Sequence, residues 1–237
     1  MSEGSLKMKS GINIKGLIFD LDGTLLDTLT SLWYCSKCSL EQEGLKPLPR
    51  ENFRYYVGDG ALKQVERYLK DTEITDPLKL PPDPHDPANL EYYYKSYMGF
   101  LDRFSDYEVK PYEGIPELLK ELKDRGLRLA VFSNKPDRAA AGLIKKFFGS
   151  TFDAVYGKKD GFPKKPDPKV ALLIAEEFKL KPEEIMYLGD TDTDMKTGRN
   201  AGMFTVGVLW GFRDMEELLK NGADALVSRP SDIKGLL

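Results

Sequence analysis

The sequence predicts an α/β protein, a Rossmann-like parallel sheet with helices on both faces and an inserted α-helical cap. Three observations carry this. Asn13 to Leu21 is predominantly apolar without strict alternation, as a strand covered on both faces requires. After Pro111, short apolar runs alternate with helix-period segments at the spacing of βαβ units. Between Thr28 and Tyr107 the periodicity is helical only, and nine of the twelve tyrosines fall there. With 237 residues, 41% of them hydrophobic, the chain can bury a substantial core and still carry a large insert.

The elements follow in order. The first strand runs from Asn13 to Leu21 and ends in Asp20-Leu21-Asp22-Gly23. The helical block then shows Leu29-Trp33-Ser36-Leu40, Ala61-Leu62-Val65-Tyr68-Leu69 and Tyr93-Tyr97-Phe100-Leu101-Phe104 at helical spacing. Its tyrosines suit a surface that is sometimes wet and sometimes closed. Next come a helix from Ile115 to Arg125 stopped by Gly126, a strand from Leu127 to Phe132, and a helix from Arg138 to Phe148 stopped by Gly149. A strand at Phe152 to Tyr156, a helix at Pro168 to Phe178, a strand at Ile185 to Leu188 and a helix at Asp194 to Asn200 follow. The chain closes with a strand at Thr205 to Leu209, a helix at Met215 to Lys220 and a short strand at Ala225 to Val227. Residues 1–27 and 108–237 thus form the core and 28–107 the cap. Ligands bind beyond the carboxyl ends of parallel strands, so an insert leaving after the first strand covers the site as a lid.

Composition narrows the partners. The net charge is about -3 and lysines are interspersed with acids, so no basic stripe proposes nucleic acid. No run of eighteen apolar residues suggests a membrane span, and Met1 to Ser10 reads as a polar tail without a signal peptide's apolar stretch. The expected setting is cytoplasmic and the expected partner a small metabolite, with monomer and homodimer both open. Cys35 and Cys38 have the spacing of a redox pair or half a zinc site, yet the lone His85 cannot complete a four-ligand cage with them. They read as a buried or half-buried helical pair, and His85, in a proline-rich loop, has no catalytic role. Catalysis must then rely on carboxylates, lysine and metal.

Asp20 and Asp22 straddle one residue at a strand end, and a turn near Gly23 splays them around a bound group. One carboxylate there is placed to attack phosphorus and the other to donate and later accept a proton. An ordinary Asx turn is the plainer reading of the same residues. Gly189 to Asp194 forms a second acidic cluster after an apolar run; if the two runs are neighbouring parallel strands, their carboxylates are too close to stay charged without a cation. Asp190 and Asp194 offer the oxygen ligands that suit Mg²⁺. Thr193 looks like a helix N-cap, Asp192 points to solvent, and Asp194 is either near the metal or a first-turn acid at the helix dipole. Ser133 and Asn134 end another strand with a hydroxyl and an amide ahead of helical N–H groups, a setting for phosphate. Lys165, held by the prolines around it, can be aimed inward, whereas Lys164 reads as solvated. In the cap, Tyr55-Tyr56-Val57-Gly58-Asp59-Gly60 is a glycine-flanked turn. Arg54 and Lys63 beside it are either contacts to a substrate carboxylate or second phosphate, or solvated surface charges.

The ordered set Asp20-Leu21-Asp22-Gly23-Thr24, Ser133-Asn134, Lys165-Pro166 and Gly189 to Asp194 resembles the haloacid dehalogenase-like hydrolase superfamily, over nearly all of Ile14 to Val227. The resemblance implies that Asp20 is the nucleophile and Asp22 the general acid/base. It implies that Gly23, Thr24, Ser133 and Asn134 help bind the phosphate, and that Lys165 orients and neutralises. It implies Mg²⁺ held by Asp20, Asp190 and the main-chain carbonyl of Asp22, with Asp194 a further ligand or a group just behind. A helical cap between the first two motifs is similar to the phosphoglycolate phosphatase-like branch, and Tyr56 to Gly60 to its cap turn. The implied activity is Mg²⁺-dependent phosphomonoester hydrolysis on a small phosphorylated metabolite through an aspartyl phosphate. A β-phosphoglucomutase-like sugar phosphomutase shares the motifs and cap class and is the rival. A protein that only binds metal through these aspartates is a third reading. Asp22 argues against a dehalogenase, which has no leaving alkoxide to protonate.

Overall fold

Pairing trims the apolar run after Asn13 to strand β1 (Gly16–Phe19), all four residues buried. The computed structural model describes residues 13–237, and the polar tail at Met1 to Ser10 lies outside them. β1 is shorter than the apolar run because the chain turns immediately beyond it. Asp20 keeps one ladder bond, its N–H to the Leu188 carbonyl at 2.9 Å, and Gly23 then takes φ +89°, so that the Leu25 and Leu26 N–H groups return to the Leu21 carbonyl. The carboxylates of Asp20 and Asp22 are thereby left at a strand tip.

Strand β2 (Leu26–Asp27) leads into the helical block of α1 (Leu29–Gln42), α2 (Phe53–Tyr56), α3 (Ala61–Leu69) and α4 (Leu90–Phe104). Strand β3 (Lys110–Pro111) brings the chain back and pairs antiparallel with β2, tying the outgoing and returning crossings together. The block has its own apolar centre, in which Leu32, Phe53, Val65, Tyr68, Tyr93 and Tyr97 are buried. His85 lies in the loop before α4, exposed beside Asp83. Cys35 and Cys38 are free thiols on α1, the first buried and the second half-buried.

The rest alternates: α5 (Ile115–Asp124), β4 (Arg128–Pro136), α6 (Asp137–Phe148), β5 (Ala154–Lys158), α7 (Lys169–Phe178), β6 (Ile185–Gly189), α8 (Asp192–Asn200), β7 (Phe204–Val208), α9 (Met215–Lys220) and β8 (Ala225–Val227). Two boundaries move for physical reasons. β4 continues past Phe132 to Pro136, because its pairing with β5 resumes there after a register shift. α8 begins before Asp194, because Thr191 rather than Thr193 is the N-cap: its side chain accepts from the Asp194 N–H while the Asp194 carboxylate accepts the Thr191 N–H.

The main sheet has the order β5-β4-β1-β6-β7-β8, with every pairing parallel. β1 is therefore central, and the chain builds β4 and β5 on one side before crossing to β6, β7 and β8 on the other. That reversal makes the carboxyl end of β1 the topological switch point, where parallel α/β sheets open a crevice. Alternate residues face opposite layers. Leu17 and Phe19 pack with Leu118, Leu122 and Leu143 of α5 and α6. Ile18 packs on the other face with Val170 and Ile174 of α7. No helix among the described residues is long and apolar enough to cross a membrane.

Candidate active site

Three strand ends deliver the acidic groups and their counter-charge to one place. Asp20 follows β1, Asp190 follows β6, and Asp194 projects from the first turn of α8; one carboxylate oxygen from each lies within 4.8 Å of the others, and all three residues are buried. Lys165, from the loop before α7 and itself 2% exposed, places Nζ 2.7 Å from Asp20 Oδ1 and 2.6 Å from Asp194 Oδ1. Three aspartates face one lysine.

The imbalance is visible in proton affinity. Burial pushes the Asp20 carboxyl up to about 7, with Asp194 adding to the rise and Lys165 opposing it. Burial likewise drives Asp190 well above its ordinary value, helped by Asp194 and Asp20. Burial alone would strip the proton from Lys165, but Asp194 and Asp20 outweigh it and hold the ammonium firmly charged. A buried site lined by three carboxylates and one ammonium fits a divalent cation with a taste for oxygen, and Asp20, Asp190 and Asp194 would hold it.

The surroundings are shaped to keep Asp190 in place. The Thr24 hydroxyl donates to its Oδ1 at 2.8 Å, and the Phe212 N–H donates to its Oδ2 at 2.8 Å. A Cβ at Gly23 or Gly211 would come within 2.2 Å of Asp190 atoms, so both positions must lack one. Gly23 and Thr24 thus act on the acidic cluster.

Asp22 stands apart from that cluster and pairs with Lys135, whose Nζ lies 3.0 Å from Oδ1 and 3.3 Å from Oδ2. Ser133 and Lys135, two residues apart at the end of β4, both line a cavity of about 30 Å³ between core and cap, together with Asp20, Asp22, Asn134 and Gln64. Asn134 also braces the loop that carries Lys165: its Oδ1 accepts the Lys165 N–H at 2.9 Å. Lys135 was missed as a candidate. Its signal is its position directly after Ser133-Asn134 at the same strand end, where all three residues line the cavity.

Neither cap cation reaches this cavity's lining. Arg54 donates through Nε to the Phe212 carbonyl at 2.8 Å, holding cap to core. Lys63 pairs with Glu66 and faces an adjoining surface groove that Lys158 and Lys164 also line. The cap turn is instead held by residues that sequence patterning did not single out for this. Asp59 accepts the Thr193 hydroxyl at 2.6 Å and pairs with Arg67, while Arg213 donates to the carbonyls of Arg54 and Val57. Asp192, read as solvent-facing, is half-buried and paired with Lys196.

This arrangement of strand ends is matched across the chain by known proteins. A family model described as haloacid dehalogenase-like hydrolase matches residues 17–208. The chain belongs to the haloacid dehalogenase-like hydrolase family. Within it the sequence falls in the phosphoglycolate phosphatase-like branch. A phosphoglycolate phosphatase of Aquifex aeolicus is 31% identical over 222 residues, covering 93% of this chain and 95% of its own. An N-acetylmuramic acid 6-phosphate phosphatase of Pseudomonas aeruginosa is 29% identical over 234 residues, covering 95% and 96%. A solved structure from Lactobacillus delbrueckii, provisionally assigned as a phosphoglycolate phosphatase, superposes with a TM-score of 0.85 at 28% identity, covering 94% of this chain and 98% of that one. As in other members of the haloacid dehalogenase-like family, the parallel sheet carries an inserted helical region over the strand ends.

Proposed function

We propose that the protein is a Mg²⁺-dependent phosphomonoesterase acting on a small phosphorylated metabolite through an aspartyl phosphate, with 2-phosphoglycolate the first substrate to try. The observation that carries this reading is the Asp20 carboxylate at the switch point, within 4.8 Å of Asp190 and Asp194 and bonded to a buried lysine. In this reading an Asp20 oxygen attacks phosphorus, forming the acyl phosphate as the ester P–O bond breaks. Asp22, steadied by Lys135, gives its proton to the departing alkoxide. It then takes one from the water that attacks phosphorus and releases Asp20. The Ser133 hydroxyl holds a phosphoryl oxygen, Asn134 keeps the Lys165 loop in register, and Lys165 orients Asp20 and favours its ionised form. The bound cation would supply positive charge against the charge building on the phosphoryl oxygens. The division into 1–27 with 108–237 and 28–107 belongs to the same proposal, with the β2–β3 ribbon at its seam.

Identity does not select the substrate, since relatives 31% and 29% identical bear different substrate names. The narrow cavity favours a compact leaving alcohol. A cavity of that size leaves little room for a sugar ring, which favours hydrolysis over the phosphomutase alternative. The test is phosphate release, with and without Mg²⁺, from 2-phosphoglycolate, N-acetylmuramic acid 6-phosphate, hexose phosphates, nucleoside monophosphates, pyrophosphate and pyridoxal phosphate. Asp20→Asn should lose metal-dependent turnover by at least roughly a thousandfold. Undiminished turnover in that variant removes Asp20 as nucleophile. Glucose 6-phosphate formed from β-glucose 1-phosphate without free phosphate would establish the mutase instead.

A further inference from the structure

A second hollow, of about 540 Å³, borders the catalytic cavity. Gly60, Ala61, Asn134 and Pro136 stand on the walls of both, so whatever occupies this groove lies beside the entrance to the site. Its sides come from two halves of the molecule. The cap supplies Leu62, Lys63 and Glu66 from α3 and the half-buried Tyr94 from α4, and the core supplies Lys158 at the end of β5 and Lys164 from the loop that carries Lys165. The reaction scheme uses none of these six residues.

The groove carries more positive charge than its own acids answer. Lys63 Nζ lies 2.8 Å from Glu66 Oε2, and Lys70 reaches the same carboxylate at 3.4 Å, so Glu66 already has two partners. The other acid on the wall, Asp59, is paired with Arg67 and accepts the Thr193 hydroxyl. Lys158 and Lys164 are exposed and have no carboxylate partner among the described residues; Lys164 makes a long contact of 3.4 Å to the Asp59 carbonyl, from core to cap. An exposed lysine holds a lone anion weakly, because water and salt screen the pair. Several ammoniums along one groove instead suit a ligand with several anionic groups on one chain, since each contact after the first is made within a complex already formed.

We propose that this groove binds a linear chain of phosphates, as in tripolyphosphate or the tail of a nucleoside triphosphate, and that the bound chain bars the way to the catalytic cavity. Lys158 and Lys164 meet the phosphate oxygens from the core and Lys63 meets them from the cap, so the ligand ties cap to core beside the wall that groove and cavity share. The site goes beyond the phosphatase reading, for it needs neither a metal nor the catalytic aspartates. Leu62, 46% exposed, and Tyr94 add an apolar portion to the lining, which the base of a nucleotide would cover and a free phosphate chain would not.

Titration calorimetry in the presence of a chelator tests the groove apart from the reaction, because no cation then draws phosphate to the aspartates. Tripolyphosphate should bind the wild type once per chain. Lys158→Ala combined with Lys164→Ala should weaken that binding about tenfold. Lys158→Ala alone, which leaves the catalytic loop untouched, should weaken it severalfold. A wild type that binds no tripolyphosphate, or variants that bind it as well as the wild type, overturn the site. ATP in the same titration separates the two sources: tighter binding than tripolyphosphate identifies a nucleotide whose base covers Leu62 and Tyr94, and equal or weaker binding a free phosphate chain. The kinetic arm follows release of the alcohol from the best ester of the substrate screen at fixed free Mg²⁺. Tripolyphosphate should raise KM severalfold in the wild type and far less in the double variant, whose kcat and KM without tripolyphosphate match the wild type's. An equal rise in both proteins, or none in either, overturns the barring role. If no ester is turned over, the phosphatase reading falls while calorimetry still decides the groove.

Discussion

At Gly211 the room for one methyl group is already occupied. A Cβ there would lie 2.2 Å from the Asp190 Cβ and 2.6 Å from its Oδ2, so Gly211→Ala must push Asp190 off the acidic cluster. Calorimetry should find Mg²⁺ affinity lowered at least roughly tenfold, since a displaced ligand costs as much as a lost charge-assisted contact. The two cysteines differ for an equally local reason. Burial pushes the Cys35 thiol up to about 12, even with the Lys135 ammonium opposing, and its side chain is inaccessible, whereas Cys38 is half-buried on the same helix. Iodoacetamide on the native protein should label Cys38 and spare Cys35, as peptide mass mapping would read. At this scale the sequence was legible where chemistry and chain position coincide, as at Asp20, Asp190 and Lys165. It was opaque at Lys135, because a lysine after a strand looks the same whether it faces a site or solvent.

The elements that close the cap are α2, the turn after it, and α3. The last carbonyls of a helix lack partners within it, and Arg213 from the loop after β7 supplies them by donating to the carbonyls of Arg54 and Val57. Arg213→Ala should destabilise the fold by about 2 kcal/mol or more and raise KM, because nearly buried carbonyls lose their donor. Denaturation and steady-state kinetics check both. Asp59 adds a second latch. Burial alone would raise its carboxyl, but the Thr193 hydroxyl and the Arg67 guanidinium outweigh that and hold it below its ordinary value. A depressed carboxyl stabilises the folded form fully above the ordinary carboxylate range, and the gain is lost as pH falls through the folded value. Asp59→Asn should therefore be less stable than wild type near neutrality and lose less on acidification from about pH 5 to pH 3, as melting curves would show. Helical periodicity located α1, α3 and α4 well, since an amphipathic stripe is a local property. The cap of α8 was misplaced from Thr191 to Thr193, because both threonines precede acids and only the backbone geometry at Thr191 distinguishes them.

Across the whole molecule, one charge imbalance links stability to function. Three buried carboxylates around a single lysine destabilise the metal-free fold, and a ligand that binds only the folded state restores it. Mg²⁺ at about a hundred times its dissociation constant should contribute roughly 2.7 kcal/mol, a rise in melting temperature on the order of 5–10 °C for a chain of this size. Asp190→Asn should raise the metal-free melting temperature and cancel the Mg²⁺ increment. Scanning with and without chelator tests both, and an unchanged increment in the variant would exclude Asp190 as a ligand. The sequence by itself determined the class of fold, the inserted helical block and which acidic residues and lysine stand at strand ends, because each is written in local periodicity or in residue type at a strand end. Only the tertiary structure decided that β1 lies between β4 and β6, which carboxylates share a lysine, and which cap side chains look into the cavity. Those are contacts between residues far apart in the chain, and they are fixed by sheet order and helix packing rather than by any neighbour in sequence.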